Sequence, residues 1–238
     1  MKTLVNWKDA QVPELTETYS PVAHTELIYL LERQLNVDGY DVVSNHVQQS
    51  YNGEQVFGTM SLKKETGIAG DDLRQTMAWQ NSYNKRLPIR LVSGGHVFIC
   101  SNGMIVGDII TFRKHTGDIF PALKEMISIA INRMEEDFER TQKDVLIMKE
   151  TELTTTLAAE LVGRMFVEER ILNSNEVNEV ARQLRKPKFE EFKANSLWSL
   201  YNHATYALNE AAPDRRMTSL KQLHTFSMDA AKELGVYV

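Results

Sequence analysis

Turn signals recur so closely between residues 40 and 112 that an antiparallel sheet is the one arrangement this stretch can readily build. Residues 40–50 and 54–63 are rich in Val, Tyr, Phe and Thr and are separated by Asn52-Gly53, a pair that accepts the positive φ angles of a tight type I′ hairpin turn. Residues 65–72, with Gly67 and Gly70, read as a loop. Residues 77–83 and 88–92 read as further extended segments joined by a polar turn at Asn84-Lys85. Gly94-Gly95 predicts a turn into 97–100, and Asn102-Gly103 a turn into 104–112. Connections this short imply mostly antiparallel pairing, because parallel partners need crossovers of about a dozen residues or more.

Helical periodicity flanks that segment. Leu27, Ile28, Leu31 and Leu35 form one helical face that stops before Asp38-Gly39. Residues 1–20, with Pro13, read as an arm docked through Trp7. Downstream, Leu123, Ile127, Ala130, Met134, Phe138, Thr141, Val145 and Met148 step by threes and fours. That stripe predicts one helix of about 30 residues, about 45 Å long, which crosses the sheet or joins a coiled pair. Further helices are expected over 153–172, 174–185, 196–211 and 218–234, with Asn173-Ser174-Asn175, Lys186-Pro187, Ala212-Pro213 and Gly235 as punctuation. The expected fold class is α+β: a mostly antiparallel sheet with a long crossing helix, followed by a helical C-terminal part. The expected division is 1–150 for the sheet and long helix and 151–238 for a helical subdomain.

Several function classes are disfavoured. No apolar run approaches the roughly 20 residues a membrane helix needs, and the N-terminus turns polar before an apolar signal region can form, so a cytoplasmic location is expected. The single cysteine, Cys100, excludes an intramolecular disulfide and reads as a small buried hydrophobe in a strand. Phosphate-binding glycine loops, a His-x-x-x-His pair and a Gly-x-Ser-x-Gly elbow are all missing from the sequence. The acidic run Glu135-Glu136-Asp137 lies on the expected long helix, where neighbours diverge by about 100°, and reads as a solvated face. No catalytic residue, metal ligand or cofactor is therefore expected.

Charge is the more informative signal. The chain carries a net charge of -5, which argues weakly against a generic polyanion binder. Yet residues 73–115 hold Arg74, Lys85, Arg86, Arg90, Arg113 and Lys114 against Asp108 alone, net +5, while residues 1–72 are net -6 and 116–180 net -7. The expected sheet is a basic island in an acidic chain. Within it, Asn81, Tyr83, Lys85, Arg86, Arg90, Arg113, Lys114 and His115 form the candidate nucleic-acid-binding set. Lys and Arg neutralise phosphates, Asn bonds sugars or base edges, and Tyr83 offers a stacking face. A second basic stretch, Arg182, Arg185, Lys186 and Lys188, sits where cations favour a helix C-terminus.

Gln80-Asn81-Ser82-Tyr83-Asn84-Lys85, then 95–102 reading Gly-His-Val-Phe-Ile-Cys-Ser-Asn, then Arg113-Lys114-His115-Thr116, resemble a family carried by phages and plasmids, the domain of unknown function numbered nine-three-two. Leu197-Trp198-Ser199-Leu200-Tyr201-Asn202-His203-Ala204-Thr205 resembles its C-terminal stretch. Asn84 stands where an acidic residue is common in the family, which weakens any carboxylate-dependent activity there. The resemblance implies a mobile-element origin and assigns no catalytic residue. The leading expectation is a non-enzymatic protein of DNA metabolism that binds nucleic acid, single strands favoured. The alternatives are a protein-binding inhibitor of a host defence system, whose partner is a host protein, and an uncharacterised enzyme. The long apolar stripe makes a homo-oligomer an additional expectation.

Overall fold

Val56, Met60 and Leu62 alternate with Phe57, Thr59 and Ser61 along one stretch of chain, and both sets are buried. A strand covered on both faces belongs to the middle of a sheet with other layers above and below. The structure, a computed structural model, describes residues 6–50, 52–64, 73–97 and 111–235. Among these the strands are β1 (Tyr40–Gln49), β2 (Gln55–Lys64), β3 (Leu73–Ser82), β4 (Ile89–Val97) and β5 (Thr111–Arg113). They form one antiparallel sheet in the order β1-β2-β3-β4-β5.

The helices are α1 (His24–Val37), α2 (Ile119–Asn132), α3 (Met134–Glu150), α4 (Thr155–Val167), α5 (Ser174–Arg185), α6 (Leu197–Ala207) and α7 (Pro213–Glu233). The α+β class with a helical C-terminal part is thus what the chain adopts. On one face of the sheet, Met60, Met77, Trp79 and Leu91 pack with Leu27 and Leu31 of α1 and Leu123 and Ile127 of α2. On the other, Phe57, Ala78 and Val92 join a cluster with Met148, Leu161, Tyr201, Met217 and Leu220. Residues on both sides of position 151 therefore share one buried cluster.

Three local readings change. The hairpin connection spans residues 50–54 between β1 and β2, longer than a type I′ turn, and is closed by Ser50 N donating to Gln55 O at 2.8 Å. Gly53, at φ 73°, suits that loop because a Cβ there would stand 2.9 Å from Trp7 Cα. The arm docks at this point, with Trp7 N donating to Gln49 Oε1 at 2.7 Å. Gly94-Gly95 is strand interior and not a turn: the two residues pair with Thr76 and Gln75, so β3 supplies the ladder that carries the chain straight through. The turn at Asn102-Gly103 and the role of Cys100 lie outside the described residues.

The single long helix is two, divided at Arg133, whose φ of -96° and ψ of -7° interrupt the helical ladder. The buried stripe continues across the break through Ile131 and Met134. Met134 closes the first cluster, whereas Val145 and Met148 enter the second, so the two helices between them serve both faces.

Gly58 has a specific packing role. Its neighbour across the ladder is Trp79, whose ring lies over the glycine and whose Nε1 donates to Asn45 Oδ1 on β1 at 3.2 Å. A Cβ at residue 58 would stand 2.1 Å from Trp79 Cε2.

Candidate nucleic-acid interface

The motif that begins at Asn81 folds as a turn because each polar side chain closes a local backbone group. Asn81 is fully buried; its Nδ2 donates to Val22 O at 2.8 Å and lies 3.0 Å from His24 Nδ1, while its Oδ1 accepts from Ser82 N at 2.9 Å. Ser82 Oγ donates to Leu87 O at 2.8 Å and accepts from Leu87 N at 3.2 Å. Asn84 Oδ1 accepts from Arg86 N at 3.2 Å and from Gln55 Nε2 at 3.3 Å. An acceptor oxygen is what this turn needs at position 84, and an aspartate would supply it equally. Lys85 completes the turn in a left-handed conformation, φ 64°.

Beneath the turn is a small polar core. Because the Asn81 amide donates to His24 Nδ1, the His24 proton resides on Nε2, which donates to Gly53 O at 3.1 Å. Burial lowers the His24 pKa to about 4, against a smaller opposing effect of the Gly53 carbonyl, so the ring is neutral. Tyr83 stacks on that ring, centroids 3.8 Å apart and planes 8° from parallel, and its hydroxyl accepts from His24 N at 2.8 Å. Tyr19 donates from its hydroxyl to Tyr83 O at 3.1 Å and lies 5.5 Å from the His115 ring. Burial lowers the His115 pKa as well.

Three expected contact residues are thereby removed from the surface. Asn81, Tyr83 and His115 are buried; the stacking face of Tyr83 is occupied by His24, and the amide of Asn81 is spent on Val22 and His24. A fourth, Arg90, is half-buried and is paired across the ladder with Phe112. It points to the face opposite Arg113, since successive strand side chains alternate. There it lines a groove of about 730 Å³ with Arg164, Asp229 and Glu233, in mixed charge.

Lys85, Arg86, Arg113 and Lys114 remain, and all four are exposed. Ile89 pairs with Arg113, which sets the end of β5 beside the 83–88 turn. Tyr19 ties the two together, since Lys85 Nζ stands 4.7 Å above the ring that also meets His115. No described carboxylate forms an ion pair with any of the four. Asp108 and Asp118 flank Arg113 and Lys114 in the chain, and Asp72 is the acidic residue nearest Lys85. Elsewhere Arg164, Arg182 and Arg215 are paired with Glu233, Glu179 and Glu176.

Phe112 was not among the expected residues. It is 62% exposed on the edge strand, and the signal available was an aromatic residue beside Arg113 at a strand end. The acidic run on α3 also divides: Glu135 and Glu136 are exposed, but Asp137 is buried and accepts from Ser93 Oγ. Residue 137 belongs to the inward stripe with Thr141 and Asp144, so helical phase, which separates it from its two neighbours, overrides composition. Among the described residues, no group of three or more His, Cys, Asp or Glu side chains could hold a metal ion, and no helix is long and apolar enough to cross a membrane.

Among the described residues, an α+β chain with a five-stranded antiparallel sheet, helices over both faces and a basic edge is the class that this geometry defines. The chain belongs to the family described as Domain of unknown function (DUF932), whose model matches residues 14–227. No curated protein and no solved structure matches it.

Proposed function

We propose that this protein binds nucleic acid through phosphate contacts from Lys85, Arg86, Arg113 and Lys114. The observation that supports this reading is the convergence of four exposed cations, none ion-paired with a described carboxylate, on one end of the sheet. Such contacts hold the backbone without reading sequence. Single strands are favoured because Phe112 and Arg113 point to opposite sides of one edge strand. A flexible strand can engage both, whereas a duplex is stiff over about 150 base pairs, and an exposed ring stacks on any unpaired base.

Fluorescence anisotropy with labelled single- and double-stranded DNA and RNA tests the proposal. Four phosphate contacts give a slope of log K against log salt of about -2.8 on single strands and about -3.6 on duplex. Lys85→Ala with Arg113→Ala halves the slope, to about -1.4 on single strands, with the fold intact by circular dichroism. Absence of binding to every probe at low salt refutes the reading. A stoichiometric host protein that persists through nuclease treatment would favour the inhibitor reading instead.

A further inference from the structure

At the opposite edge of the sheet, β1 joins the helical layer around a polar cleft of about 560 Å³. Its floor is Arg216, only 3% exposed, with its guanidinium 5.3 Å from the centre of the Phe57 ring. Nη1 donates to Gln48 Oε1 and, at 2.8 Å, to Asn209 O; Nη2 donates to Asn209 Oδ1; Nε has no partner. Every one of those acceptors is neutral, and no described carboxylate forms an ion pair with Arg216. Burial draws its pKa down to about 10, with Glu210 the charge that opposes the shift. A buried guanidinium held only by neutral oxygens remains an uncompensated charge.

The other charges lining the cleft leave that imbalance in place. Glu176 is committed to Arg215 and to the Asn173 backbone N–H at 2.8 Å. Glu179 accepts from Arg182 Nε at 2.9 Å and Nη2 at 2.6 Å, and that pairing holds its pKa below the usual carboxylate range. Lys188 donates to Tyr206 Oη at 3.0 Å, and its Nζ stands 4.7 Å from the centre of that ring and 5.5 Å from that of Phe189. Arg216 and Lys188 thus have no ion-paired carboxylate among the described residues, although Lys188 also acts on Glu179. With Glu179 balanced by Arg182 and Glu176 by Arg215, which stands outside the lining, they outnumber Glu210 by one charge, in a cleft whose volume is several times that of a simple inorganic anion and falls in the range of small-molecule sites, about 300–1,000 Å³.

We propose that this cleft binds a nucleoside monophosphate, with Arg216 and Lys188 receiving the phosphate, and with the Asn175 amide and the Nδ2 of Asn173, whose Oδ1 caps α5, available to the base or sugar. Guanidinium and ammonium groups are the usual phosphate partners, and side-chain amides offer the paired donor and acceptor that a base edge presents. The site is separate from the basic edge at β5 and does not depend on it.

Isothermal titration of the full chain with AMP, UMP, adenosine and inorganic phosphate at fixed ionic strength tests it. AMP or UMP should bind, adenosine should bind at least tenfold more weakly, and Arg216→Gln should reduce nucleotide affinity about tenfold or more. Should Arg216→Gln fail to fold, Lys188→Gln, at an exposed position, must still weaken AMP several-fold. Lys85→Ala with Arg113→Ala must leave AMP affinity unchanged. The proposal is overturned by no nucleotide binding at low-millimolar concentration, by equal binding of adenosine, by wild-type affinity in Lys188→Gln, or by loss of AMP binding in the edge variant.

Discussion

Acid should destabilise this fold well above the pH at which carboxylates titrate. His24 and His203 are both buried and both have their pKa lowered to about 4 by loss of solvent, from an ordinary value of 6.5. Between those values the unfolded chain binds more protons than the folded one, so stability rises with pH. The contribution is fully present above about 6.5 and is lost as pH falls through about 4. Each histidine contributes ~3 kcal/mol across the whole window, and ~2 kcal/mol of that disappears between pH 7 and pH 5. The pair together removes ~4 kcal/mol, a large share of the 5–15 kcal/mol typical of a domain. His115, shifted the same way by burial, adds to the loss. Glu179 and Glu233, held low by Arg182 and Arg164, begin to matter only below about pH 4.5. Urea unfolding followed by tryptophan fluorescence at pH 5, 6 and 7 reads the effect. His203→Asn should reduce the pH 7 to pH 5 difference by ~2 kcal/mol whatever it does to absolute stability. A wild-type difference below ~1 kcal/mol would show that burial does not hold these rings neutral.

Two further outcomes follow from backbone and packing. Gly58→Ala drives a methyl into the Trp79 ring; overpacking of ~1–3 kcal/mol and the lost Trp79–Asn45 bond of ~1 kcal/mol should lower stability by ~3 kcal/mol in denaturant titration, and a loss under ~1 kcal/mol would contradict the placement. Lys85→Gly should leave stability within ~0.5 kcal/mol, because relief of ~1 kcal/mol of left-handed strain offsets a lost cation–π contact of ~0.5–1 kcal/mol. The same change should reduce the single-strand salt slope by about 0.7; an unaltered slope would remove Lys85 from the interface.

Periodicity and punctuation carried much of the architecture. The limits expected for α5 are those observed, because Asn173 forms a capping box with Glu176 and the following Lys186-Pro187 ends the helix. Gly235 follows α7 at φ 76°, as a terminating glycine should. The misreadings share a cause. Gly94-Gly95 has the local chemistry of a turn, and only its pairing with β3 makes it strand. Arg133 interrupts a stripe whose spacing is unbroken. Asn81 and Tyr83 have polar groups suited to a ligand, but His24, 57 residues before Asn81, claims them first. Local sequence states what a side chain can bond; the fold decides what reaches it.

That distinction separates the motif that resembles the family from the residues proposed to contact a ligand. Asn81, Ser82 and Asn84 each close a backbone group of the 81–88 turn, and Tyr83 is locked between His24 and the Tyr19 hydroxyl. Their shared task is to build a rigid platform, so their substitution disturbs the turn before it disturbs any ligand. Lys85 and Arg86 take no part in the side-chain bonding that closes the turn, yet Lys85 adopts a conformation that glycine would enter without strain. A lysine at a strained position, exposed although its Nζ rests on the Tyr19 ring, beside Arg113 and Lys114, is where the proposed interface is most directly tested. The platform explains why the motif is polar and buried at once; the cations above it are where the search for a partner begins.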